Sequence, residues 1–328
     1  MSILITGSGA AIPKIRMTND ELSSRVETND EWIRSHTGIG ARRFAEDGVL
    51  TSDLGTEAAR SALAKAGLKP EDVDLIVVAT ATPDYFGFPS TACIIQDKIG
   101  AVNAAALDVN AGCTGFIYAL DVASSMLAAP SRKTALVIGA ETLSRVVDWS
   151  DRATCVLFGD GAGAFVLQKS ETADDRGILN SWLRADGSGY KSLYMSQPDR
   201  DKTFAREGDY GKPMSIVMDG KKVYMFAVKA ITDSIEALLA ESGFKLQDIR
   251  WIVPHQANAR IVQAAAKRFG IADDHIYMNI EEYANTSAAS IPIAVNELAD
   301  KGLLVKGDLV MMMGFGAGLT YGGTVIRW

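Results

Sequence analysis

Cysteine is scarce: Cys93, Cys113 and Cys155 are the only three in 328 residues. They are odd in number, widely spaced and without a Cys-x-x-Cys pair, which excludes a disulfide framework and a zinc ribbon. Histidine is equally rare, and His36, His255 and His275 have no metal-ligand spacing, so no metal is expected. Positive charge is in deficit, with 33 Lys and Arg against 40 Asp and Glu and a net charge of −7. A general affinity for nucleic acid or an anionic membrane is therefore not expected, and an acidic partner would need a local basic patch. Long apolar runs are missing as well. The one uncharged stretch, between Asp308 and Arg327, holds Gly314, Gly316, Gly318, Gly322 and Gly323, too many for a spanning helix. No basic segment precedes the short apolar run at the N-terminus, so no signal peptide is expected and the reduced thiols point to the cytoplasm. GxxxxGK[ST] and GxSxG do not occur, and Gly7-Ser8-Gly9 lacks the third glycine of a dinucleotide loop.

What is present is an ordinary globular composition, 48% hydrophobic and 22% charged, in a chain long enough for two cores. It reads as one plan used twice. Gly67-Leu68-Lys69-Pro70-Glu71-Asp72-Val73-Asp74-Leu75-Ile76-Val77 is echoed by Gly243-Phe244-Lys245-Leu246-Gln247-Asp248-Ile249-Arg250-Trp251-Ile252-Val253. Each copy is a helix end, an Asp turn and a buried strand. Ala-rich helical patterns precede both, at 54–66 and 223–242, and helices ending at Gly100 and Gly270 follow. Apolar strands at 135–139 and 309–313 then lead to Gly-rich turns. This alternation predicts an α/β fold of two halves with helices covering mainly parallel sheets. The junction is expected in the polar stretch 168–177, giving halves 1–172 and 173–328. The irregular segment 186–213 reads as a lid or binding loop.

Cys113 is the candidate nucleophile. In Asp108-Val109-Asn110-Ala111-Gly112-Cys113-Thr114-Gly115-Phe116 a strand turns through small residues into a helix, 116–129, that is apolar almost all round. A helix N-terminus is expected to lower a thiol pKa, though position alone leaves a buried structural cysteine equally open. Cys93, in a helical pattern, and Cys155, in a strand pattern, read as structural. His255 follows a buried strand through Pro254, where an α/β fold places ligand sites. Asn285 holds in the second half nearly the place of Cys113 in the first. Alone, the former is as readily a core histidine and the latter a turn residue.

Taken together, these residues and their surroundings resemble β-ketoacyl-acyl carrier protein synthase III, a thiolase-fold condensing enzyme with layered αβαβα architecture. The resemblance runs nearly end to end. It includes Thr28-Asn29-Asp30-Glu31-Trp32-Ile33, Thr37-Gly38-Ile39, Phe88-Pro89-Ser90, 108–116, 158–164, Pro254-His255-Gln256-Ala257-Asn258 and Asn285-Thr286-Ser287-Ala288-Ala289-Ser290.

The resemblance implies that Cys113 takes an acyl group from acyl-coenzyme A, acetyl-coenzyme A first among them. Malonyl-acyl carrier protein then loses CO2 and its enolate attacks the acyl-cysteine. Backbone N–H groups of Cys113 and Ala317 would form the oxyanion hole. Neutral His255 and the Asn285 amide would donate to the thioester oxygen. A thiolase would need a second Cys as base and an elongating ketosynthase a second His; Asn285 points away from both. Trp32 and Arg152 would sandwich the adenine, with Thr28, Gly220 and Asn258 along the pantetheine tunnel. Phe315 and Phe88 are implied at the acyl pocket, Phe88 reaching across a homodimer. Arg260, Lys267 and Arg268 would receive the acidic carrier protein. No cofactor is implied, the coenzyme A thioester being substrate. This chain departs from the usual pattern at His36 (commonly Arg), Lys221 (Asn), Ala284 (Gly), Gly112 (Ala) and Ala317 (Gly). An acyltransferase moving an acyl group to a small-molecule hydroxyl or amine is the alternative within the fold. A papain-like protease shares the Cys, His, Asn order but not the duplicated α/β pattern, and a non-catalytic scaffold would be expected to lack the nucleophile.

Overall fold

The computed structural model describes residues 2–171, 175–196 and 214–328. One sheet is built from β1 (Ser2–Ala11), β2 (Leu75–Ala79), β3 (Ala105–Val109), β4 (Thr134–Thr142) and β5 (Asp160–Ser170), in the spatial order β1-β5-β4-β2-β3. A second holds β6 (Gly177–Ala185), β7 (Trp251–Pro254), β8 (Leu309–Gly316) and β9 (Thr320–Arg327), ordered β7-β8-β9-β6. Strands β4, β2 and β3 run parallel, as do β7 and β8, whereas the remaining pairs are antiparallel. The sheets are therefore mixed rather than mainly parallel. The cause is connection length: β8 reaches β9 through Ala317–Leu319 alone, and so short a turn can only join antiparallel neighbours.

The helices that matter here are α1 (Asp30–Thr37), α2 (Thr51–Ala66), α3 (Thr91–Ile99), α4 (Gly115–Leu127), α5 (Gly220–Ser242), α6 (Ala259–Phe269) and α7 (Ser290–Asp300). Strand alternation sorts them into layers. Leu75, Val77 and Ala79 of β2 share a core with α4 and α7, while Ile76 and Val78 face α2 and α3. That same α4–α7 layer also receives Val253, Val310 and Met312 from the second sheet, whose outer face packs on α5 and α6. The order is thus α2/α3, sheet, α4/α7, sheet, α5/α6, the αβαβα arrangement expected. Helix α4 is buried as its composition demands: Phe116, Ile117, Ala119, Leu120 and Ala123 are fully inaccessible, and Phe116 meets Phe165 edge-on at 5.0 Å. Burying each large side chain of this kind contributes about 1.5–3 kcal/mol.

The repeat is exact in local geometry. Gly67 and Gly243 end α2 and α5 in the left-handed region, φ +67° and +75°. Lys69 N then donates to Asp72 Oδ2 at 2.8 Å, and Lys245 N to Asp248 Oδ2 at 2.8 Å, before β2 and β7 begin. The first sheet draws its strands from residues 2–170 and the second from 177–327. The expected junction at 172 and 173 lies outside the described residues, as does 197–213 of the expected lid. Among the lid residues that are described, 187–192 form a 3₁₀ turn and Leu193–Met195 pairs with Ile216–Met218. Cys155 closes a short helix, Arg152–Cys155, rather than lying in a strand. Among the described residues no helix is long and apolar enough to cross a membrane.

Candidate active site

Two matching turns make the floor of the site. Gly112–Thr114 leads from β3 into α4, and Ser287–Ala289 leads into α7. The end of β8 lies against the first: a Cβ added to Gly316 would stand 2.7 Å from Cys113 N, and one on Gly112 2.9 Å from Ala317 N. Gly112 has φ +52°, a conformation that glycine adopts without a Cβ penalty. Thr320 Oγ1 lies 2.8 Å from Ala111 O and 3.0 Å from Ala317 O, tying the two backbones together. This close approach brings the Cys113 and Ala317 peptides to one spot beside the sulfur.

His255 extends from the end of β7, its N–H donating to Met313 O at 2.7 Å. The ring is fully buried and meets Phe315 at 5.1 Å between centroids. Its Nδ1 lies 2.7 Å from Ser290 Oγ, which is 2.9 Å from Ser287 O, while Nε2 has no hydrogen-bond partner. The serine has one proton for two neighbours. Given to Nδ1, it leaves the imidazole proton on Nε2, the tautomer that a donor role requires. Asn285 is pinned by its backbone, N–H to Leu157 O and C=O from Gly159 N, both at 2.9 Å. Its Oδ1 accepts from Ser287 N at 2.8 Å, so the amide group is left as donor.

Electrostatics corrects one expectation. Burial pushes the Cys113 thiol up to about 12, against the opposing pull of the Ser287 hydroxyl and its own N–H, so the empty site does not hold a ready thiolate. The turn's dipole does not overcome desolvation. His255 is held down to about 3 by burial, keeping the ring neutral as expected. Beneath the turn, Glu141 is fully inaccessible and pushed up to about 7 by desolvation, which its neutral donors only partly offset.

Cys113, His255, Asn285, Ser287, Phe315 and Ala317 all line one enclosed cavity of about 1260 Å³. The same cavity runs past Gly220, Ala257 and Asn258 to Trp32 and His36. Helix α1, which presents Trp32, is capped by Asn29 Oδ1 accepting from Trp32 N at 2.7 Å. Asn258 caps α6 with Oδ1 and donates Nδ2 to His36 O at 3.0 Å, closing the tunnel wall between the halves. Arg152 does not line the cavity; its guanidinium lies directly over the Trp32 ring at 4.9 Å, and His36 stacks on that ring at 4.5 Å. No room for a base exists between Arg152 and Trp32 at that spacing. Thr28 is near this wall rather than in it, with Oγ1 buried and without a hydrogen-bond partner.

Phe88 does not line this chain's own cavity. It is 90% exposed beside exposed Tyr85 and Phe86, and it is Phe86 and Gly87 that line the pocket. Arg260, Lys267 and Arg268 are exposed on α6, adjoining the wall formed by Asn258 and Ile261, with Arg268 3.5 Å from Glu236. Sequence reading missed Ser287, Ser290 and Glu141. The first two lie within the Asn285 motif, and Ser287 is further marked by φ +49°. Among the described residues no group of three or more His, Cys, Asp or Glu is arranged to hold a metal ion.

Comparison with known proteins agrees with this geometry. Residues 107–187 match the family model for 3-oxoacyl-[acyl-carrier-protein] synthase III, and residues 239–328 the model for its C-terminal region. The β-ketoacyl-[acyl-carrier-protein] synthase III of Caldanaerobacter subterraneus subsp. tengcongensis is 48% identical, over 99% of this chain and 97% of that protein. The one from Rhizobium meliloti is also 48% identical, over 99% of both. The crystal structure of the Aquifex aeolicus 3-oxoacyl-[acyl-carrier-protein] synthase III superposes with a TM-score of 0.91 at 42% identity, covering 99% of this chain and 100% of that one. A nucleophile turn, a neutral imidazole and an oriented carboxamide in one tunnel are thus found in a chain that belongs to the β-ketoacyl-acyl carrier protein synthase III family.

Proposed function

We propose that this enzyme joins an acyl-coenzyme A, acetyl-coenzyme A foremost, to malonyl-acyl carrier protein with loss of CO2, giving a 3-oxoacyl-acyl carrier protein and initiating fatty acid synthesis. The observation that carries the reading is the convergence of Cys113, His255 and Asn285 on one enclosed cavity. The cysteine attacks the thioester and becomes acylated, the negative oxygen of the adduct facing the Cys113 and Ala317 N–H groups. Malonyl thioester then enters. Decarboxylation supplies the carbanion electrons, so no base is needed at carbon; His255 Nε2–H and Asn285 Nδ2 donate to the enolate oxygen, and the carbanion attacks the acyl-cysteine. No resident cofactor enters this scheme.

Trp32, with Arg152 displaced from its face, is assigned to the coenzyme A adenine, and Thr28, Gly220 and Asn258 to the pantetheine arm. The basic face of α6 is assigned to the carrier protein. The protruding Tyr85-Phe86-Gly87-Phe88 segment, apolar and uncovered, supports a homodimer in which Phe88 reaches the partner's acyl pocket. A cytoplasmic location accords with the unpaired thiols.

The test is intact-protein mass. Acetyl-coenzyme A should add one acetyl group, Cys113→Ala should abolish the addition, and Asn285→Ala should keep it while slowing CO2 release from malonyl-acyl carrier protein by on the order of 10²-fold. A protein that stays unlabelled by acetyl and by longer or branched donors is not a condensing enzyme of this kind, and equal loss of both steps in Asn285→Ala removes the role given to the amide.

A further inference from the structure

A buried carboxyl group stands directly behind the nucleophile, and the reaction as described leaves it without a task. Glu141 lies near the end of β4, two residues after Gly139 and on the same face of the strand. A Cβ on Gly139 would stand 2.4 Å from Ala288 O, so this face of β4 rests on the turn that carries Ser287. Glu141 accepts from Thr82 Oγ1 at 2.6 Å, from Thr82 N at 3.1 Å and from Ala81 N at 3.1 and 3.2 Å, with Thr80 Oγ1 at 3.3 Å. All are neutral, and among the described residues no basic side chain pairs with it, although an unpaired buried charge is costly. The Ser287 hydroxyl acts as donor both to this carboxylate and to the Cys113 sulfur. It has one proton for two acceptors.

We propose that Ser287 and Glu141 form a proton relay for acylation. As the Cys113 sulfur bonds to the thioester carbon, its proton passes to the Ser287 oxygen and the serine's own proton passes to the Glu141 carboxylate. When the tetrahedral adduct collapses and the bond to the coenzyme A sulfur breaks, the relay runs backward and that sulfur leaves as the thiol. One S–H is consumed and one formed, and Glu141 ends as it began. The inference rests on the condensing reading above.

The alternative acceptor is His255. Its donor role already places a proton on Nε2, and burial holds the ring neutral down to about pH 3. Glu141, with burial moving its titration to about 7, exchanges a proton near neutrality at small cost. The strained backbone of Ser287, φ +49° in a non-glycine residue, is the kind of local cost that persists where a side chain must be aimed. The groups facing Glu141 from its surroundings are few. Strand β2 and its loop present Thr80 and Thr82, and β5 presents Gly161 alongside. The 287–289 turn presents Ser287 and the Ala288 peptide, and Cys113 is the titratable group across Ser287. Farther off, Asp160 of β5 is engaged with Ser144 and Ala45, and α2 reaches the next residue of β4 through Thr51 on Thr142.

The rate of acyl-enzyme formation with acetyl-coenzyme A, followed by quenched-flow mass measurement from about pH 5.5 to 8.5, tests the relay. In the wild-type protein the rate should rise about tenfold per pH unit and level off above roughly pH 7, since only the ionised carboxyl accepts a proton. Glu141→Gln, which keeps a carbonyl acceptor for the 80–82 loop, should lose that limb and acylate on the order of 10²-fold more slowly at the plateau. Ser287→Ala, which leaves the carboxyl and its loop contacts in place, should do the same. Once acylated, both variants should release CO2 from malonyl-acyl carrier protein within about twofold of the wild-type rate, because no thiol proton moves in that step. A pH limb retained in Ser287→Ala overturns the proposal, as does one retained in Glu141→Gln. If Glu141→Gln does not fold, Ser287→Ala decides. A wild-type protein that no donor acylates overturns the underlying reading instead.

Discussion

Ala284 stands beside the catalytic amide with φ +57° and ψ −155°. That region is essentially reserved for glycine and costs an alanine about 1–3 kcal/mol. The chain keeps it because Ala284 N is fixed to Ile280 O at 2.9 Å on one side and Asn285 is fixed to Leu157 on the other. Ala284→Gly should therefore raise stability by about 1 kcal/mol and the thermal midpoint by roughly 2–4 °C, with acylation unchanged. A lowered midpoint would mean that the methyl packs usefully and the strain is relieved elsewhere. The residues legible in sequence at this scale were those whose chemistry is rare: a cysteine before a buried helix, a histidine after a strand, an asparagine in the matching place. Ser287, Ser290 and Glu141 were not legible, because hydroxyls and carboxylates are common and their roles arise only from what they touch. The thiol's raised pKa was hidden for the same reason, since the turn is visible in sequence and the depth of burial is not.

At the scale of elements, two departures from the family pattern prove to be one. Gly112 replaces an alanine and Ala317 a glycine, and the two face each other across the oxyanion hole: a Cβ at 112 would lie 3.1 Å from the Ala317 Cβ. Both turns cannot carry a methyl group at this separation. Gly112→Ala alone should push the end of β8 away and slow acylation by on the order of tenfold, and adding Ala317→Gly should recover most of the loss. Additive effects, measured as acyl-enzyme formation rates in the four proteins, would show that the turns do not sense each other. Helices and strands themselves were read closely from periodicity, and the central helix pair followed from the all-apolar pattern of α4. Strand direction was not, because the antiparallel pairs depend on how short the β8–β9 connection turned out to be.

For the whole molecule, the balance of charge sets a problem that one helix answers. The chain carries a net −7, yet its proposed partner is acidic, and Arg260 and Lys267 sit one above the other on the exposed side of α6. Charge reversal at both, Arg260→Glu with Lys267→Glu, should raise KM for malonyl-acyl carrier protein about tenfold and flatten its salt dependence, leaving acylation by acetyl-coenzyme A intact. Equal weakening of both substrates would place the patch elsewhere. The duplication that builds this scaffold was plain in the sequence, since Gly67–Val77 and Gly243–Val253 keep the same Asp-capped turn.

The guanidinium resting on Trp32 gives the empty tunnel a character of its own. The entrance is not a vacant slot but a closed handshake, and an arriving nucleotide must prise open a pair of groups that already satisfy each other. What the adenine gains from the indole is offset by what the arginine gives up, so the far end of the carrier molecule serves more to aim the thioester than to hold it. Discharged coenzyme A, by the same trade, is evicted as the side chains reunite, which favours clearing the passage before the second substrate comes in.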